Sequence, residues 1–169
     1  VTKMLGTLAL SGALLLGLAA CASAEEQAGG GGPCDVKVGV EAGKKPSVTV
    51  PDGCDAPKGL EQRDIITGEG PAAKAGDAVS VQYVGVAWST KKQFDASWDR
   101  GAKPFTVAPL GQASVIQGWN QGLVGAQKGT RRLLVIPSDL GYGARGAGND
   151  IKPNETLVFV VDVVSINGK

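Results

Sequence analysis

The sequence predicts an α+β fold, a mostly antiparallel β-sheet with one short α-helix laid across it. Three segments carry that expectation. In "AVSVQYVGV", Val79, Val81 and Tyr83 alternate with Ser80 and Gln82, and in "TLVFVVDVV", Leu157, Phe159, Val161 and Val163 fall on one side. That period of two is the mark of a strand with one buried face. Only "VIQGWNQGLVGA" has helical spacing, with Ile116, Trp119 and Leu123 at i, i+3 and i+7, and its glycines predict a short helix. "TRRLLVIP" reads as a third strand that alternates less cleanly.

From the N-terminus, residues 1–20 have the layout of an export signal: one basic residue, Lys3, then an uncharged stretch rich in Leu, Ala and Gly that ends in small residues. Leu18, Ala19, Ala20 and Cys21 resemble the lipobox of bacterial lipoproteins, which implies a lipid on Cys21 and anchorage to the outer face of the cytoplasmic membrane. A core helix is the alternative reading of this stretch. Residues 21–33 include "ASAEEQAGGGG", which lacks apolar periodicity and reads as a flexible tether. Residues 34–58 form a lightly built extension with one short strand candidate, "PSVTVP". Its two cysteines, Cys34 and Cys54, are expected to pair in an exported chain, with two free thiols as the alternative. Such a bridge closes a loop of about twenty residues and is worth about 3 kcal/mol in the chain-entropy treatment. Residues 59–169 are the main domain.

Composition removes several kinds of chemistry. Lys and Arg total 17 against 16 for Asp and Glu, a formal net charge of +1, so no basic footprint for nucleic acid is present. Histidine is absent. Its absence excludes Ser-His and Cys-His nucleophiles and histidine metal sites, and it removes the usual proton carrier near neutral pH. No metal or cofactor is expected. Gly141, Gly143 and Gly146 match G-x-G-x-x-G after the apolar run "RRLLVIP". A dinucleotide turn needs a helix behind those glycines. Gly148, Asn149, Asp150 and Pro153 favour turns instead, so the segment reads as a long exposed loop between strands.

The three Trp, three Phe and two Tyr all lie between Tyr83 and Phe159. Rings gathered where one short helix meets a sheet suit an aromatic pocket; periodicity alone equally allows a plain core.

The segment from about Gly59 to Ile166 resembles the FKBP-type peptidyl-prolyl cis/trans isomerases, through "VQYVG", "QFDAS", "DRGAKPF", "VIQGWNQGL", "RRLLVIPSDLGYG" and "NETLVFVVDVV". With its tether and short first strand, the chain looks like the exported lipoprotein members of actinobacteria. The resemblance implies a sheet wrapped around the helix and a pocket for proline-containing polypeptides. Tyr83, Phe94, Phe105, Trp119 and Phe159 match its aromatic walls, with Trp119 as the floor. Val115 and Ile116 match the pair before it, and the Ile116 N–H matches the donor to a bound carbonyl. Asp95 matches the carboxylate held by groups at Tyr83 and Arg100, and Tyr142 matches the tyrosine whose hydroxyl points at ligand. Tyr83, Asp95, Tyr142 and Phe159 are thereby catalytic candidates. Phe94, Arg100, Phe105, Val115, Ile116 and Trp119 are candidates for binding.

Ser114 stands where the family's familiar acidic residue precedes the Val-Ile pair, and Ala147 and Asp150 replace larger loop groups. These departures bear on substrate preference and on macrolide inhibitors as ligands. Arg145 and Asp150 on the rim are read as solvating the loop, with charged residues beside the proline as the alternative. A monomeric isomerase that assists folding of exported proteins is expected, and a proline-binding module or holdase is the alternative.

Overall fold

The computed structural model describes residues 32–169. The leader and Cys21 lie outside the described residues. A six-stranded antiparallel sheet contains β3 (Glu61–Ile66), β4 (Val79–Ala87), β5 (Gln93–Ala96), β6 (Phe105–Val107), β7 (Arg131–Ile136) and β8 (Leu157–Ile166). The strands run in the order β3-β7-β8-β4-β5, with β6 also paired to β4. One α-helix, α1 (Gln117–Gly122), lies against it. In addition, β1 (Lys37–Val38) and β2 (Val48–Thr49) pair ahead of the sheet. The Ala108–Pro109 peptide is cis.

Alternation sorts the strands between two apolar clusters. Leu157, Phe159, Val161 and Val163 of β8 pack with Trp119, Leu123, Leu134 and Ile136 on the helix side. Their neighbours Val158 and Val160 join Val84, Val86, Leu133 and Val135 on the other side. Every residue of β7 is buried. Its weak alternation in sequence has that cause: both faces are covered, so apolar residues are needed at every position but the first two.

The helix glycines have a packing reason. A Cβ on Gly118 would stand 2.4 Å from Ile136 Cγ2, and one on Gly122 would stand 2.6 Å from Leu134 Cδ2. These two positions, one turn apart, let α1 sit directly on β7.

The outer face is covered by the N-terminal extension, which is more firmly built than its composition suggests. Val36, Val38 and Val50 are buried against the outer cluster, each contributing about 1.5–3 kcal/mol if fully removed from water. Cys34 and Cys54 are disulfide-bonded with Cα atoms 5.6 Å apart. Arg131, 1% exposed, ties the middle of the extension to the sheet. Its guanidinium donates to the carbonyls of Gly39 at 2.8 Å, Glu41 at 3.0 Å and Lys44 at 2.7 Å. It also pairs with Asp162 through two bonds of 2.6 and 2.8 Å. A buried guanidinium with this set of acceptors is neutralised and saturated, the condition under which burying it is tolerable.

Candidate active site

Strand register, one bulge and the helix bring the aromatic rings together. Tyr83 shares the inward face of β4 with Val79 and Val81. On β5, Gln93 faces Val86 and Asp95 faces Gly85, so Phe94 is the extra residue of a β-bulge. In a regular strand Phe94 and Asp95 would point to opposite faces; the bulge lets both line the same cavity. Gly85 makes room for this, since a Cβ there would lie 2.7 Å from the Phe94 ring and 2.8 Å from Phe159.

The cavity holds about 220 Å³ and is lined by Tyr83, Phe94, Asp95, Phe105, Ser114, Val115, Ile116, Trp119, Tyr142 and Phe159. Trp119 is buried at its floor. Tyr83 and Phe159 each stand edge-on to it, with centroids 5.2 Å away. Phe94 meets Phe159 at 5.5 Å and Phe105 meets Trp119 at 6.0 Å, both near perpendicular. Such T-shaped contacts set the positive edge of one ring on the negative face of another and add about 0.5–1.5 kcal/mol per pair to the burial of the rings. Phe105 and Tyr142, each 42% exposed, form the rim.

Among the described residues Asp95 supplies the one charge in the lining. The Tyr83 hydroxyl donates to its Oδ2 at 2.6 Å, Arg100 donates to its Oδ1, and Arg100 Nη2 donates to the Tyr83 oxygen at 2.7 Å. Burial pushes the Asp95 pKa up, yet the hydrogen bonds from Arg100 and Tyr83, together with the Arg100 charge and the Ala96 N–H, outweigh it and hold the carboxyl below its ordinary range. Tyr83 is raised, first by burial and then by the adjacent carboxylate. Across neutral pH the pair is therefore one carboxylate and one protonated phenol. Arg100 does not line the cavity; it belongs to the ion pair behind Asp95 and holds that edge in place.

Helix α1 also organises the segment before it. Asn120 is buried and accepts from the N–H groups of Gly111 at 3.0 Å and Ala113 at 3.1 Å, while its Nδ2 donates to the Ala113 carbonyl at 3.0 Å. These bonds shape the approach to Ser114, Val115 and Ile116. Among the described residues the Ile116 N–H has no protein acceptor, and it lies at the start of the helix beside the cup.

The glycine-rich segment forms two single 3-10 turns, Ser138–Leu140 and Gly143–Arg145, with Tyr142 between them. Leu140, Ala147 and Ile151 pin it to the inner cluster, and Ala147 and Ile151 pair backbone to backbone. No α-helix opens after these glycines, so the segment lacks the aligned N–H groups that cradle a phosphate.

Sequence reasoning did not reach Ser97, Gln82 and Asn120. Ser97 is buried, accepts from the Tyr83 N–H at 2.9 Å and donates to Gln82 Oε1 at 2.5 Å. An unpaired Gln in a strand and a Ser after Asp-Ala are ordinary surface signals, and nothing in their spacing marks them as partners.

The family described as FKBP-type peptidyl-prolyl cis-trans isomerase matches residues 70–164. An FK506-binding protein from Streptomyces anulatus is 52% identical over 124 residues, covering 73% of this chain and 98% of that protein. A probable FK506-binding protein from Corynebacterium glutamicum is 43% identical over 122 residues, 72% of this chain and 98% of its own length. Among solved structures, AtFKBP13 is similar with a TM-score of 0.58 at 35% identity, covering 66% of this chain and 98% of the other. FkpA from Escherichia coli is similar with a TM-score of 0.57 at 38% identity, covering 68% of this chain and 52% of the other. An aromatic cup closed by one short helix, a carboxylate held at its edge, and a match of this extent have one conclusion: the chain belongs to the FKBP-type peptidyl-prolyl cis-trans isomerase family.

Proposed function

We propose that the chain is a lipid-anchored isomerase that speeds prolyl-limited folding of exported polypeptides at the outer face of the cytoplasmic membrane. The Cys34–Cys54 bond supports that location, because such bonds persist in oxidising compartments. The export-signal layout of residues 1–20 and the lipobox-like Leu18-Ala19-Ala20-Cys21 support the same reading.

The chemistry follows from the cup. The barrier to X-Pro rotation, about 18–20 kcal/mol, is the loss of amide resonance in the twisted form. A planar amide is charge-separated and well solvated, whereas the twisted amide has lost much of that separation. Moving the bond into an apolar cup therefore favours the twisted form relative to the planar one. In this reading Trp119 and Phe159 hold the proline ring, the Ile116 N–H receives a neighbouring carbonyl, and Asp95 and Tyr142 act at the edge. No nucleophile is required, in keeping with a chain that has no histidine. Proline-containing polypeptides are the substrate class, and macrolides are expected to compete for the same cup. The protein is expected to act as a monomer.

The test uses full-length protein in cells and in a protease-coupled prolyl peptide assay. Unaltered protein is expected in the membrane fraction with an acylated Cys21, and Cys21→Ala is expected to abolish acylation and release it. Purified protein is expected to accelerate exchange without metal or nucleotide. Protein found in the cytoplasm with its leader intact overturns the location. Peptide binding with an unchanged exchange rate would place the chain among proline-binding modules.

A further inference from the structure

Arg100 is the last residue of a 3-10 turn, Ser97–Arg100, and it is placed only as well as that turn is. Three consecutive side chains fix the turn. Ser97 is locked between Gln82 and the Tyr83 backbone. Trp98 packs against the outer cluster that the N-terminal extension helps to build. Asp99 accepts from Lys45 Nζ at 2.6 and 2.9 Å and from Gln93 Nε2 at 2.8 Å. Lys45 follows directly on Lys44, whose carbonyl is held by buried Arg131 at 2.7 Å. An unbroken chain of contacts thus runs from the sheet through the extension to the turn, and from the turn through Arg100 to Asp95 and Tyr83.

We propose that Lys45 is a positioning residue for the isomerase reaction, acting through Asp99 on Arg100 and so on the Asp95 edge of the cup. The extension reaches the reactive edge from behind, without touching substrate. The Lys45 and Asp99 side chains are 38% and 51% exposed, so their pairing is open to water and salt. The coupling is accordingly modest and adjustable. It also gives the two layers of the molecule a functional connection: an extension that covers the outer face sets the geometry of a site on the inner one.

The test is a double-mutant cycle in full-length protein, with Lys45→Ala and Lys45→Arg made in otherwise unaltered and Arg100→Ala backgrounds. Lys45→Ala is expected to lower kcat/KM about threefold while Tm moves by no more than about 2 °C, as for a surface pair. Lys45→Arg is expected to restore the rate. The effect of Lys45→Ala is expected to vanish in the Arg100→Ala background, and to shrink between about 50 mM and about 500 mM salt. The Arg100 Nε–H resonance reports the same geometry without turnover and is expected to shift in Lys45→Ala. An unchanged kcat/KM, an equal loss with and without Arg100, or an unmoved Arg100 resonance overturns the proposal.

Discussion

Trp119→Ala is expected to lower kcat/KM by about 100-fold, the equivalent of about 2.7 kcal/mol of lost transition-state stabilisation. The indole is the floor of the cavity and the ring against which Tyr83, Phe105 and Phe159 all pack. Removing it opens the cup to water and frees three walls at once. Truncating a buried Trp also costs about 3–5 kcal/mol of stability, so Trp119→Leu serves as the companion variant. It keeps apolar volume and the fold, and is expected to lose about tenfold in rate. Full activity in a folded Trp119→Leu together with full activity in Trp119→Ala would exclude the desolvating floor. In the unaltered protein, kcat/KM is expected to be flat across neutral pH. Asp95 is held below the ordinary carboxylate range and Tyr83 is raised, so Asp95 gains a proton only well to the acid side and Tyr83 loses one only well to the alkaline side. A midpoint between about pH 6 and 8 would show that another group controls the rate.

The second large effect concerns stability. Arg131→Ala is expected to cost about 3–5 kcal/mol, since it leaves Asp162 without its partner and strips the donor from three carbonyls of the extension. Urea unfolding measures the loss, and limited proteolysis is expected to show new cleavage around residues 39–45. A cost under about 1 kcal/mol would mean that water replaces the guanidinium without penalty. The disulfide offers the comparison. Replacing Cys34 and Cys54 together by Ala is expected to cost about 3 kcal/mol through a less constrained unfolded chain. Its effect on turnover is expected to be smaller, because Arg131 still holds the middle of the extension.

The contrast between Arg131 and the aromatic rings shows what was legible in the sequence. Helix α1 was readable because Trp119 and Leu123 face the inner cluster, and β4 and β8 because Val79-Val81-Tyr83 and Leu157-Phe159-Val161-Val163 form inner-face series, although the other face of both strands is covered as well and is not solvated as alternation alone suggests. The cup followed from a family resemblance in its rings, Asp95 and the loop tyrosine. The outer cluster was not readable. Val36, Val38 and Val50 are too few and too scattered to announce a buried layer, and Arg131 in mid-chain reads as a solvated charge until its acceptors, drawn from residues 39–44, are brought to it. Lys45 and Asp99 are 54 residues apart, and two common charged residues at such a distance have no pattern to betray them.

The bulge at Phe94 makes chain length at this point part of the chemistry. Identity is normally what a functional position must keep, and here count matters as well. Deleting one residue from the hairpin between β4 and β5 would restore a regular ladder in which neighbours alternate. Either the Phe94 ring or the Asp95 carboxylate would then be turned away from the cup, though both of these side chains are still present. A shortened hairpin of this kind is expected to lose turnover in the peptide exchange assay, a loss that comes from register and not from the identity of any one side chain.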